Sequence, residues 1–196
     1  MAEVLLFHHA QGLTAGITAI ADDLRASGHV VHVPDLYDGW LFDSLDEGVA
    51  HAQGIGFGTL IARGAEIAAG LPAGLVYLGF SLGALPAQML AQTRPGAAGA
   101  VLCSSCVPLS EFGGHWPPDV PVQVHGMDED PVFVEEGDVD AARHLVSAAP
   151  DGDLFLYRGD RHLFADRSLP AHDEDAARLL TERVLAFLAR VDVRSS

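Results

Sequence analysis

Six short apolar runs recur along the chain, and nearly every one leads into a segment with helical spacing. The runs are Val4–Phe7, His29–Val33, Leu75–Leu78, Ala100–Cys103, Val122–His125 and Leu154–Tyr157. In most of them apolar residues follow one another instead of alternating with polar ones. A strand of that kind is covered on both faces, which is the condition of a parallel sheet between two helical layers. The helical segments fall between the runs. Residues 14–27 end at Gly28, where a helix C-cap belongs, and 45–69 read as one helix or two, loosened by Gly54, Gly56 and Gly58. Residues 82–93 stop before Pro95, 140–148 form a further helix, and 172–190 carry Leu179, Leu180, Val184, Leu185 and Leu188 on one face. The alternation predicts an α/β fold: a doubly wound, mostly parallel sheet of about six strands flanked by helices, with functional loops at the carboxyl ends of the strands. A length of 196 residues suits a single domain, 1–196, able to bury a core without metal or disulfide staples.

Charge narrows the partners. The chain holds 27 acidic residues against 11 basic ones, a formal net charge of −16. Such a surface repels phosphate backbones and anionic lipid, so neither nucleic acid nor membrane is an expected partner. All 11 basic residues are arginine. Without lysine there is no Schiff base, no pyridoxal-phosphate attachment and no Walker-type phosphate loop, since each needs an ammonium group. The chain also lacks asparagine, which removes N-glycosylation. No apolar run is long enough to span a bilayer. Met1-Ala2-Glu3 followed by Val4–Phe7 is not the basic start and longer apolar stretch of an export signal. Two cysteines are too few for a disulfide framework, so the cytoplasm is the expected location.

Gly79-Phe80-Ser81-Leu82-Gly83 reads G-x-S-x-G. It stands between the run Leu75–Leu78 and the helix-forming residues 84–90, the strand–turn–helix setting of a nucleophile elbow. Such a turn holds the serine in a strained backbone conformation, and the flanking glycines let strand and helix close around it. The helix N-terminus then turns free N–H groups toward the reaction centre. A serine hydroxyl needs a base at neutral pH. His162, in Gly159-Asp160-Arg161-His162-Leu163-Phe164 just after the last run, is the expected base, because triads of this kind follow the chain order Ser, acid, His. The acid is expected from His125-Gly126-Met127-Asp128-Glu129-Asp130-Pro131-Val132, where three acids compete. Asp130 is preferred, since Asp-Pro-Val can turn its carboxylate back toward the histidine; Asp128 is the alternative. The loop His8–Gly12 lies beside the elbow in such folds. A backbone N–H from Ala10, paired with that of Leu82, would hold the oxyanion of a tetrahedral intermediate.

The segments Val4–Gly12, Pro34–Tyr37, Gly79–Gly83, His125–Val132 and Gly159–Phe164 together resemble the dienelactone hydrolase family, over essentially the whole chain. The resemblance implies an α/β-hydrolase fold without a large cap domain, with Ser81 as nucleophile, His162 as base and Asp130 as acid. An extra amino-terminal hairpin common in the family is not expected here. Three positions depart from the best-known members. Ser81 stands where they carry a cysteine, and His9 where a glutamate controls that thiol. Asp166 stands where an arginine holds the substrate carboxylate, although Arg167 follows. A serine nucleophile and a less cationic pocket point away from dienelactone and toward neutral esters or lactones.

Other signals read more plainly. Cys103-Ser104-Ser105-Cys106 follows a strand and runs into Val107-Pro108 instead of opening a helix, so its thiols read as buried small residues rather than a redox pair. Two thiols also fall short of a structural zinc site. His8, His9 and His125 lie at strand ends, but no ligand pair has helical spacing, and no metal or other cofactor is expected. His9 reads as a pocket residue or as one that supports the site from behind the lining. Trp40, Trp116 and Phe133 read equally as pocket lining or as core. Gly54–Gly58 imitates a nucleotide loop but follows no strand. The expected activity is hydrolysis of a small carboxylic ester or lactone through an acyl-enzyme on Ser81. The alternatives are a non-catalytic ligand-binding or regulatory module on a hydrolase scaffold, and a thiol redox protein using Cys103 and Cys106.

Overall fold

In the computed structural model, which describes residues 1–194, all six strands run parallel in one sheet. They are β1 (Glu3–Phe7), β2 (Val30–His32), β3 (Leu75–Phe80), β4 (Gly99–Cys103), β5 (Val122–Met127) and β6 (Gly152–Tyr157). The helices are α1 (Ala15–Ala26), α2 (Leu45–Ile55), α3 (Phe57–Ala69), α4 (Ala84–Thr93), α5 (Pro131–Glu135), α6 (Asp138–Ala148) and α7 (Glu174–Arg194). Across the sheet the order is β2-β1-β3-β4-β5-β6. The winding therefore reverses between β1 and β3, and the crevice outside their carboxyl ends is where an open α/β sheet places its ligand.

Side-chain alternation along each strand divides the core in two. Leu5, Phe7, Tyr77, Leu102 and Val124 pack with α2, α3, α4 and α6. Val4, Leu6, Val76, Leu78 and Val101 pack with α1 and with the face of α7 that carries Leu180, Val184 and Leu188. Both faces of the four central strands are thus almost wholly buried, which accounts for their near-continuous apolar runs, while the edge strands β2 and β6 are partly exposed. The sheet is wholly parallel where a mostly parallel one is expected from the sequence.

Local signals set the boundaries. Thr14 caps α1, its hydroxyl accepting the N–H of Ile17, and Gly28 follows the helix at φ +90°. Ser44 caps α2 in the same way through Glu47 N–H. Gly56, at φ +92°, separates α2 from α3, so residues 45–69 form two helices. The short helix α5 is not anticipated by the sequence reading. It starts because Asp130 caps it and Pro131 occupies its first position, where a missing N–H costs nothing. Among the described residues no separate cap domain is evident, and no helix is long and apolar enough to cross a membrane.

Candidate active site

The turn after β3 has the strain expected of it: Ser81 sits at φ +49°. The glycines on either side are there for lack of room. A Cβ on Gly79 would lie 2.1 Å from the carbonyl oxygen of Gly83, and one on Gly83 would lie 2.4 Å from that of Phe7. The second contact presses the elbow against the end of β1 and brings the Ala10 loop alongside Ser81.

Ser81 Oγ lies 2.8 Å from His162 Nε2, and His162 Nδ1 lies 2.7 Å from Asp130 Oδ2. A carboxylate can only accept, so Nδ1 carries the proton it donates to Asp130. Nε2 is then the free acceptor for the Ser81 hydroxyl. Asp130 is fully buried, and its other oxygen, Oδ1, accepts the N–H of Val132 at 3.0 Å. Helix α5 thereby fixes the carboxylate that faces the histidine. Asp128, the alternative acid, is exposed and accepts instead from Gly159 N–H at 2.9 Å.

Two contacts that sequence reading misses hold this arrangement in place. Ser104, at φ +58° just after β4, donates its hydroxyl to the carbonyl of His162 at 2.6 Å. The second is a buried network around Asp166. His9 Nε2 lies 2.8 Å from Asp166 Oδ2, which also accepts from the Thr14 hydroxyl, while Ser168 N–H and Oγ bond to Oδ1. His9 Nδ1 accepts the N–H of Gln11, so Nε2 is the donor to Asp166. Burial pushes the Asp166 carboxyl up, but hydrogen bonds from His9, Ser168 and Thr14 outweigh it and hold the group down at about 2. Two of the three positions that depart from the family pattern, His9 and Asp166, thus face each other as a pair, tying the loop after β1 to the loop bearing His162.

A cavity of about 220 Å³ opens beside Ser81. Ala10, Leu82 and His162 line it with Ser81; Val49, Phe57 and Leu85 are among its apolar lining residues, and Ser104, Ser105, Glu136 and Asp138 are among its polar ones. The three residues read from sequence as pocket lining are elsewhere. His9 is buried on Asp166, and Trp116 is buried with its indole N–H on the carbonyl of Val120 at 2.7 Å. Phe133 is fully buried, its ring filling the space a Cβ on Gly126 would take. Trp40 is 63% exposed. Phe57 and Val49 escape sequence reading because their approach depends on Gly48: α2 packs so close to the Ala10 loop that a Cβ on Gly48 would lie 2.1 Å from the Ala10 carbonyl oxygen.

His8, His125 and the two thiols do structural work. Burial lowers His8 to about 4, and its Nε2 accepts the N–H of Leu36. Burial likewise lowers His125 to about 3, beside the Tyr157 hydroxyl at 2.9 Å. Cys103 and Cys106 are free and buried, and burial pushes both thiols far above their usual range, away from the reactive thiolate. Among the described residues no group of three or more His, Cys, Asp and Glu is placed to hold a metal ion.

Comparison with known proteins bears on the fold and the family. Solved structures with the same fold include a protein assigned as a dienelactone hydrolase from Klebsiella pneumoniae subsp. pneumoniae, 18% identical, with a TM-score of 0.78 over 96% of this chain and 87% of that one. A dienelactone hydrolase-like promiscuous phosphotriesterase from metagenomic libraries is 17% identical, with a TM-score of 0.75 over 97% and 87%. The esterase PE8 is 21% identical, with a TM-score of 0.64 over 97% and 92%. No curated protein matches the sequence significantly. The sequence model of the dienelactone hydrolase family matches residues 1–192, so the chain belongs to that family of ester-hydrolysing α/β-hydrolases.

Proposed function

We propose that the chain, as one catalytic domain, hydrolyses a small carboxylic ester or lactone through an acyl-enzyme on Ser81. The observation that carries this reading is the unbroken relay from Ser81 Oγ through His162 to buried Asp130, with steps of 2.8 and 2.7 Å. His162 Nε2 takes the hydroxyl proton as Oγ attacks the carbonyl carbon. Asp130 holds the imidazole tautomer and stabilises the imidazolium that forms. The N–H groups of Ala10 and Leu82, two residues lining the cavity, receive the oxyanion. The imidazolium returns the proton to the departing alkoxide, and a water deprotonated by the same histidine then releases the acyl group. Nothing in this sequence of steps calls on a cofactor. Two free, buried thiols suit a reducing compartment, so the proposed location is the cytoplasm.

Hydrolysis of p-nitrophenyl acetate, followed for the wild type beside Ser81→Ala and Cys103→Ala, tests the mechanism. Ser81→Ala is expected to lower kcat by roughly four orders of magnitude with unchanged circular dichroism, while Cys103→Ala keeps its activity. Wild-type turnover by folded Ser81→Ala overturns the reading.

A further inference from the structure

The cavity lining is mixed in charge as well as in polarity. Val49, Phe57 and Leu85 are apolar, whereas Glu136 and Asp138 bring carboxylates to the same lining. Among the described residues no arginine lines the cavity, and the chain has no lysine. The arginine nearest in sequence to the family's carboxylate-binding position, Arg167, turns away to Asp23 on α1 at 3.3 Å. A substrate carboxylate would therefore enter a site with two negative charges and no counter-charge.

Asp138 is held in place for more than packing. Its Oδ2 accepts the Ser105 hydroxyl at 2.7 Å and the Cys106 N–H at 3.1 Å. Among the described residues no donor reaches its Oδ1, and the side chain is only half-buried, on the cavity wall. Burial raises its carboxyl above the ordinary value, and against this act the hydrogen bonds from Ser105 and Cys106 and its place at the start of α6, where the helix dipole favours the ionised form. It also feels the charges of His162 and Asp130, which places it within electrostatic reach of the reacting groups. A fixed carboxylate with one unpaired oxygen, in a small cavity also lined by apolar side chains, is a receptor for a positive charge carried on a short apolar body.

Building on the hydrolase reading above, we propose that Asp138, assisted by Glu136, makes the enzyme selective for esters whose non-reacting end is cationic and closes it to esters bearing a carboxylate. Asp138 acts on specificity and takes no part in the acyl transfer.

Three acetate esters of matched shape test this: acetylcholine, its uncharged isostere with carbon in place of the ammonium nitrogen, and the anionic O-acetyl hydroxybutyrate. A single partly shielded charge at this range supports a preference of roughly tenfold in kcat/KM for acetylcholine over the isostere, and a comparable penalty for the anion. In Asp138→Asn, whose side-chain oxygen still accepts from Ser105 and Cys106, the acetylcholine-to-isostere ratio falls several-fold. Because the readout is a ratio, a general loss of activity in the variant cancels. Asp119→Asn, on an exposed loop far from the cavity, removes the same charge from the protein and leaves the ratio as it was. A wild-type ratio near one, or a ratio untouched by Asp138→Asn, overturns the proposal. Should none of the esters turn over, the hydrolase reading fails separately. The charge preference is then decided by calorimetric binding of the same esters to Ser81→Ala with and without Asp138→Asn: tighter binding of acetylcholine that depends on Asp138 supports it, and equal binding overturns it.

Discussion

At the scale of single residues, the site depends on side chains placed where the backbone is least comfortable. Ser81 and Ser104 both occupy the left-handed region, at φ +49° and +58°, and they face the same histidine from opposite directions. Ser81 meets the imidazole, while Ser104 holds the backbone carbonyl behind it. A left-handed non-glycine residue costs roughly 1 kcal/mol and persists only where its surroundings enforce it. That makes the role of the Ser104 hydroxyl separable from its backbone. Ser104→Gly keeps the conformation and removes only the hydrogen bond, worth about 1 kcal/mol. We expect kcat for p-nitrophenyl acetate to fall by roughly tenfold through loss of His162 alignment, with little change in KM. Ser104→Ala loses the same bond and also strains the backbone, so it should melt below Ser104→Gly, the reverse of the usual effect of alanine against glycine. Steady-state kinetics and thermal melts on the two variants check both statements. Wild-type kcat in Ser104→Gly removes Ser104 from the positioning of His162.

At the scale of elements, the question is how loops from distant parts of the chain are kept in register. The loop after β1 supplies Ala10 and the loop after β6 supplies His162, and the Asp166 network joins them through His9, Thr14 and Ser168. A carboxyl held at about 2, against an ordinary value near 3.8, stabilises the fold while it is ionised. Its contribution, roughly 2 kcal/mol, is fully present above about pH 4 and is lost as pH falls toward 2. Urea unfolding of wild type and Asp166→Asn at a series of pH values should show a gap that is constant near neutrality and narrows below pH 4. A gap that does not narrow on acidification would mean that Asp166 contributes by packing alone. This network also marks the limit of what the sequence reveals. Strands and long helices were legible because their periodicities are local: Leu75–Leu78 reads as a buried strand and Leu180, Val184 and Leu188 as one helix face without knowledge of their neighbours. The chain order of Ser81, Asp130 and His162 was legible too, since each follows a recognisable run. The direction of a side chain leaving a strand end was not. His9 stands two residues after β1, and whether it enters the cavity or the Asp166 network depends on a partner 157 positions away. Trp116 and Phe133 were ambiguous for the same reason, because a large apolar residue suits a pocket and a core equally.

At the scale of the whole molecule, charge is the property that no local contact explains. Eleven arginines can offset at most eleven of the 27 acidic residues, which leaves the excess of 16 negative charges. The pairs that do form, such as Arg25–Asp22, Arg143–Asp140 and Arg178–Glu182, lie on exposed helix surfaces. Pairs of that kind contribute little each. Added salt weakens both the pairs and the repulsion among the unpaired carboxylates, and the larger effect decides the sign. With more unpaired carboxylates than pairs, relief of repulsion should win, and the Tm at neutral pH should rise between about 10 mM and 150 mM sodium chloride as the screening length drops from about 30 to about 8 Å. A falling Tm over that range would show that the surface pairs matter more than their exposure suggests. The same titration separates two sources of any preference for a cationic ester. Attraction by the whole acidic surface acts from a distance and is screened away, whereas Asp138 acts inside the cavity at a range shorter than the screening length. The acetylcholine-to-isostere ratio should therefore decline over the first part of the salt series and then level off above one, and a ratio that falls to one would assign the preference to the surface as a whole.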